Sequence, residues 1–137
     1  MATPETTGHC LCGRVRYRAI GQPKLRIYCH CESCRRATGT PVTAYAIFLN
    51  ENFQFEGERP SRYKSSAHVT RTFCPNCGTP LTYETTEWPG ETHLLVGSAD
   101  DLAAAHLAPE RHAFDNERIS WVDIGHDLPR KPPPPKG

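Results

Sequence analysis

The sequence predicts an all-β domain of small antiparallel sheets. Two observations carry that prediction. Apolar residues recur at every second position in several short segments, and clusters of Gly, Pro, Asn and Asp separate those segments. A third bounds it: only Glu32 to Thr38 and Asp101 to His106 read as helical, and each is one or two turns long.

Residues 1–7 read as a flexible lead. Val15 and Tyr17 alternate with Arg14, Arg16 and Arg18, the pattern of a half-buried strand. Leu25 and Ile27, alternating with Lys24, Arg26 and Tyr28, give a second strand. The short helix from Glu32 is stopped by Gly39 and Pro41. Val42 to Leu49 is a long apolar strand rich in β-branched and aromatic residues. Phe53 and Phe55 flank Gln54 in a short strand, and Glu56 to Arg59 turns the chain. Arg62–Ser65, Val69–Phe73, Leu81–Thr85 and His93–Val96 follow as strands, with a polar turn at Trp88-Pro89-Gly90. Asp100 or Asp101 would cap the turns that follow by accepting backbone N–H groups. Ile119 to Ile124 is expected to be the last strand, with Trp121 in the core. Residues 129–137, containing four successive prolines, read as a disordered tail with no core to join. The domain proper is thus 8–128.

At 137 residues the chain suits one domain. A loop-rich β domain of this size buries a modest core, so a metal staple would help it. The net charge of +1 lacks the basic bias of a nucleic-acid binder, which argues against nucleic acid as a partner. No stretch approaches the roughly 18 apolar residues of a membrane helix, so no membrane partner is expected. The start MATPETTGHC lacks the basic and apolar regions of a secretory signal, so a cytoplasmic location is expected.

Seven cysteines cannot all pair in disulfides. They fall in three clusters: Cys10-Leu11-Cys12-Gly13, Cys29-His30-Cys31-Glu32-Ser33-Cys34, and Cys74-Pro75-Asn76-Cys77-Gly78. In a reducing compartment such spacings read as metal ligands. The Cys74 cluster has the form of a zinc knuckle, in which a glycine after the second cysteine takes a positive φ. It supplies two ligands where zinc wants four. Residues i and i+2 of a strand share a face, so Cys10 and Cys12 could complete a closed site with Cys74 and Cys77. Cys29, Cys31 and Cys34 would then hold a second zinc with one coordination position open, the mark of a catalytic rather than a structural site. Spacing also permits other partitions, such as Cys10, Cys12, Cys29 and Cys31 together. The competing reading of Cys31-x-x-Cys34 as a redox pair lacks the βαβ context it needs. His30, between two ligands, should point to the opposite face.

The segments GHCLCGRVRY, YCHCESCRRATGTP, FCPNCGTPLTY and GSADD, followed by P-x-x-H-x-F and a late Trp, resemble the glutathione-dependent formaldehyde-activating enzyme family, which includes a centromere protein. The resemblance runs from about Gly8 to Trp121. It implies a β-tent fold of the Mss4 type. It also implies a structural zinc on Cys10, Cys12, Cys74 and Cys77, and a second zinc on Cys29, Cys31 and Cys34. The activity implied is that of a carbon–sulfur lyase joining a thiol such as glutathione to formaldehyde, giving S-hydroxymethylglutathione. The alternative is a zinc-stabilised glutathione carrier, or a module binding protein or nucleic acid without catalysis. A homo-oligomer is compatible with either. Three thiolates leave zinc a weak Lewis acid, better suited to a further thiol than to polarising a carbonyl. Arg35 and Arg36 could pair with substrate carboxylates, and His112 could lie near the open site or serve packing.

Overall fold

The computed structural model describes residues 3–130. Ten strands and one helix follow in order: β1 (Glu5–His9), β2 (Val15–Ile20), β3 (Leu25–Cys29), α1 (Glu32–Thr38), β4 (Thr43–Leu49), β5 (Phe53–Gly57), β6 (Ser61–Lys64), β7 (Val69–Phe73), β8 (Pro80–Thr85), β9 (Glu91–Leu95) and β10 (Arg111–Ala113). They form a three-stranded sheet, β1-β2-β5, and a seven-stranded sheet, β10-β3-β4-β9-β8-β7-β6. Every pair is antiparallel except β10 with β3, which is parallel, so the larger sheet is mixed. The fold is mostly β, as expected from the alternating pattern.

The alternation places the core. On β2, Val15, Tyr17 and Ala19 point inward and meet Ala46, Phe48, Leu81 and Leu94 of the larger sheet. This first core fills the space between the sheets. The opposite face of the larger sheet carries a second cluster of Ile27, Cys29, Cys31, Cys34, Tyr45 and Ala113. Hence β4 is buried on both faces, and its near-continuous apolar run follows from that.

Four expectations need correction. The lead is not free through residue 7: Glu5–His9 is a strand paired along β2. Its alternation was masked by polar residues, because Thr6 is buried while bonding through its hydroxyl to His106. The last strand is absent: residues 119–124 form turns, and Trp121 is 71% exposed instead of lying in the core. Only Val122 of that segment is buried, so alternation there never meets a partner strand. The final strand is instead β10, whose three residues are too few to show a period. Asp100 does not cap a helix; its carboxylate accepts from the Thr7 hydroxyl at 2.8 Å, and the chain beyond makes turns and a single 3-10 turn. The tail begins later than position 129. His112 N–H donates to Pro129 O at 2.9 Å, and Arg130 pairs with Asp115. The rest of the expected tail, 131–137, lies outside the described residues.

Candidate metal centres

The first centre is made by two knuckles of like design. Gly13 and Gly78 each follow a second cysteine, at φ +81° and +80°. Their N–H groups donate to Cys10 O at 3.0 Å and to Cys74 O at 2.9 Å. A β-carbon disfavours this backbone region, which is the reason for glycine there. Thr79 fastens one knuckle to the other: Leu11 N–H donates to its hydroxyl at 3.0 Å, and that hydroxyl lies 3.2 Å from Cys77 Sγ. The four sulfurs of Cys10, Cys12, Cys74 and Cys77 lie within 4.8 Å of one another. Cys10 to Cys12 is 3.6 Å and Cys12 to Cys74 is 3.7 Å. Ligands at about 2.3 Å on a tetrahedral zinc would stand roughly 3.8 Å apart, so the set fits the metal.

Backbone amides also prepare these sulfurs for negative charge. Val15 N–H approaches Cys10 Sγ at 3.3 Å, and the Asn76 and Cys77 amides approach Cys74 Sγ at 3.3 and 3.4 Å. The Thr79 hydroxyl, then its backbone amide, pulls Cys77 down to about 5. The Asn76 side chain, then the Arg14 backbone, lowers Cys12. Burial pushes Cys74 up to about 11, which is the thiol a metal would have to deprotonate at greatest cost.

The second centre lies on the other face of the larger sheet. Cys29 ends β3, Cys31 caps α1, and Cys34 sits in its first turn. Cys31 Sγ accepts the Cys34 amide at 3.4 Å, so the helix start itself fixes the spacing. Cys29 Sγ is 3.6 Å from Cys31 Sγ and 3.9 Å from Cys34 Sγ, and all three residues are buried. Among the described residues no fourth Cys, His, Asp or Glu joins them. Two groups that spacing did not single out complete the surroundings. Tyr45 Oη donates to Cys34 Sγ at 3.3 Å, and Arg71 Nη2 donates to it at 3.7 Å. Thiol donors from Cys29 and Cys31, then Tyr45 and Arg71, hold Cys34 well below an ordinary thiol. Cys29, the donor in both contacts, is pushed up. Burial is the largest single effect on the Arg71 guanidinium and would lower it, but the charges and hydrogen bonds of Cys34 and Tyr45 together outweigh it and raise it.

A groove of about 1130 Å³ opens over this centre. It is lined by the cysteines, Arg71, Arg111, Ile27, Ile47, Tyr45, Tyr83, Trp88 and His93. Arg111 Nε is buried there without a hydrogen-bond partner. Of Arg35 and Arg36, considered for substrate carboxylates, Arg36 lines the groove and pairs with Glu32 along α1 at 2.8 Å. The cation beside the sulfurs is Arg71. Its only sequence signal was a cation within a period-two strand, whose inward face the pattern alone could not assign.

His30 does face away from the sulfurs. Its Nε2 lies 2.8 Å from His112 Nδ1, and His112 Nε2 lies 2.7 Å from Gly125 O. The carbonyl can only accept, so His112 donates from Nε2 and accepts at Nδ1 from His30. Burial, then neighbouring His112, holds His30 down to about 4, keeping it neutral. His30 N–H also donates to Ala113 O at 3.1 Å. The pair therefore clamps the ligand loop to β10, and His112 works behind the open centre rather than inside it. Asp115 lies close to both rings, but Arg118 and Arg130 already hold its carboxylate.

Two thiol clusters of metal-ligand geometry on a two-sheet β scaffold, one closed and one opening into a ligand-sized groove, define the class of protein. The chain belongs to the glutathione-dependent formaldehyde-activating enzyme family, whose sequence profile matches residues 5–117. A protein of Halomonas elongata, named as a candidate glutathione-dependent formaldehyde-activating enzyme, is 30% identical over 129 residues, covering 85% of this chain and 79% of that protein. An uncharacterized lyase of Schizosaccharomyces pombe is 40% identical over 79 residues, 57% of this chain. The chain spans 56% of that relative's length. A Rhodobacter sphaeroides protein of known crystal structure shares the fold, with a TM-score of 0.54 and 18% identity over 91% of this chain and 99% of that one.

Proposed function

We propose that this protein is a zinc-dependent lyase that makes or breaks the carbon–sulfur bond between a thiol such as glutathione and an aldehyde such as formaldehyde. The observation that carries this reading is the open centre itself: three buried thiols, one of them held by Tyr45 and Arg71, at the head of a large groove. Cys29, Cys31 and Cys34 would hold the catalytic zinc, and Cys10, Cys12, Cys74 and Cys77 the structural one. Zinc held by these three thiolates would supply a position that favours the deprotonated form of a substrate thiol, whose proton would pass to solvent. A β-tent arrangement of the two sheets, stapled by the closed centre, agrees with the paired knuckles. A cytoplasmic location would keep all seven cysteines reduced.

The chain's own residues would do the rest. Arg71 presents a fixed cation beside the sulfur, where the aldehyde oxygen gains negative charge as the bond forms. Tyr45 offers a hydroxyl at the same place. Arg111, which lines the groove, is suited to a substrate carboxylate. The addition of a thiol to formaldehyde is intrinsically easy, so orientation is the main contribution.

The test is nuclear magnetic resonance exchange spectroscopy of glutathione and formaldehyde with catalytic amounts of protein. Acceleration of S-hydroxymethylglutathione exchange, lost in a folded Cys31→Ser variant, is the expected result. Glutathione binding without any acceleration would overturn catalysis and leave a carrier.

A further inference from the structure

The groove has one wall of different chemistry from the rest, and strand register explains its form. Arg71 pairs with Tyr83, Tyr83 with His93, His93 with Ile47, and Ile47 with Leu25. These five residues make one row across β7, β8, β9, β4 and β3. At about 4.8 Å per strand the row is roughly 19 Å long. It is aromatic and aliphatic beyond its first member. Tyr83 and His93 ring centres stand 5.2 Å apart, and Trp88 stacks over His93 at 6.0 Å with planes 11° apart. Tyr45, which touches Cys34, closes on both Tyr83 and His93, at 6.1 and 6.2 Å.

The charges along this row are already matched. Arg71 is held by Cys34 and lies over the Tyr83 ring at 5.0 Å. His93 Nε2 meets Glu91 Oε1 at 3.2 Å, and the other Glu91 oxygen is taken by Lys24. What this row presents is an apolar, ring-lined wall within the groove of about 1130 Å³, whose Arg36 and Arg111 are left to the charged body of the thiol substrate. With a one-carbon group on sulfur, the faces of Tyr83, His93 and Trp88 would stay against water or against the polar thiol, at a hydrophobic cost.

The geometry points to a bulky, neutral, apolar aldehyde as the carbonyl substrate, with its body lying along Tyr83, His93 and Trp88. The proposal rests on the lyase reading above and narrows its substrate. The balance of the step is unchanged. Sulfur bonds to the aldehyde carbon, the C=O π pair moves to oxygen, and that oxygen takes the proton the thiol released. Nothing is oxidised or reduced, and the reverse step frees the aldehyde.

The test compares two stable glutathione thioethers by calorimetry on the full, metal-containing chain. S-benzylglutathione carries an aromatic body on sulfur; S-methylglutathione carries one carbon. The expected result is binding of the benzyl compound at least about tenfold tighter, the scale of a filled apolar pocket. Trp88→Ala should erase most of that preference by weakening the benzyl compound several-fold more than the methyl compound, and Trp88→Phe should restore much of it. Equal affinity for the two thioethers in the unmodified protein, or equal weakening of both by Trp88→Ala, would overturn the proposal. Exchange spectroscopy of glutathione with benzaldehyde and with formaldehyde separates the two readings. Preferential benzyl binding without turnover of either aldehyde would overturn the lyase reading, and with it the aldehyde substrate, leaving a binding site for apolar thioethers. Turnover of formaldehyde with no benzyl preference would sink the apolar substrate alone. Failure to bind either thioether would overturn both.

Discussion

Arg71 holds together more of the open centre than any other side chain outside the cysteines. Its guanidinium touches Cys34 and covers the Tyr83 ring, so it joins the thiol cluster to the groove. A charge-assisted hydrogen bond is worth about 1.5–3 kcal/mol, so Arg71→Met should lower kcat/KM roughly tenfold or more. Arg71→Lys should recover part of it, because the charge returns without the planar fork. Steady-state kinetics on folded variants reads this directly. A variant with unchanged kcat/KM would mean that Arg71 only packs. His93 gives a second prediction at this scale. Burial lowers its pKa against a smaller opposing effect of Glu91. A base depressed in the fold is neutral there while the unfolded chain takes up a proton. Its stability contribution is therefore full above the unfolded value, about 6.5, and is lost as pH falls through and below it. Between pH 7.5 and 5.5 the melting temperature should fall more for the native chain than for His93→Gln. Parallel curves would show that other groups carry the acid sensitivity.

Among the elements, β1 departs furthest from expectation. It contributes no metal ligand, yet it ends one residue before Cys10 and so aims the first knuckle. Gly8 is its tight point. A β-carbon there would overlap the Tyr17 hydroxyl and Ser98 O, breaking the bond between Tyr17 Oη and Ser98 Oγ at 2.8 Å. Gly8→Val should therefore cost about 2 kcal/mol, the scale of an overpacked core. Urea titration measures it; a loss within 0.5 kcal/mol, the usual surface effect, would show that β1 docks loosely. Helix α1 has the opposite character. Its caps are legible in sequence, because Gly39 must take its left-handed turn at φ 74°. The N-cap is less so, since Cys31 serves at once as cap and thiol ligand candidate.

Across the whole molecule, the two centres are expected to differ in what they hold. The closed one joins positions 62 residues apart, from Cys12 to Cys74, and ties the small sheet to the large one. Structural zinc in such a site is worth on the order of 10–16 kcal/mol of folding free energy. The open one gathers residues of a single short loop, which β3, α1 and the His30–His112 clamp already position. Cys74→Ser should thus unfold or aggregate the protein, whereas Cys31→Ser should fold with one metal fewer. Circular dichroism with metal counting decides between them. The reverse pattern would exchange the two roles.

The cysteine spacings and their flanking glycines singled out the Cys74 knuckle and the three-thiol loop while leaving the partition of the seven thiols open, and period-two alternation drew most of the strands that carry them. The reason is local: i, i+2 geometry, a left-handed glycine and a helix cap act within a few residues. The identity of Arg71, Tyr45 and the ring row was not available at that range. Arg71 and Cys34 stand 37 residues apart, and they meet only because β7 enters the large sheet three strands from β4. Trp121 shows the same limit from the other side. Its alternating neighbours promised a buried strand, but among the described residues the segment pairs with none, only Val122 of it is buried, and β10 holds the place beside β3. Sequence determined which atoms could hold a metal; sheet order and register decided which cation, hydroxyl and rings stand beside them, because those neighbours are set by pairing across distant strands.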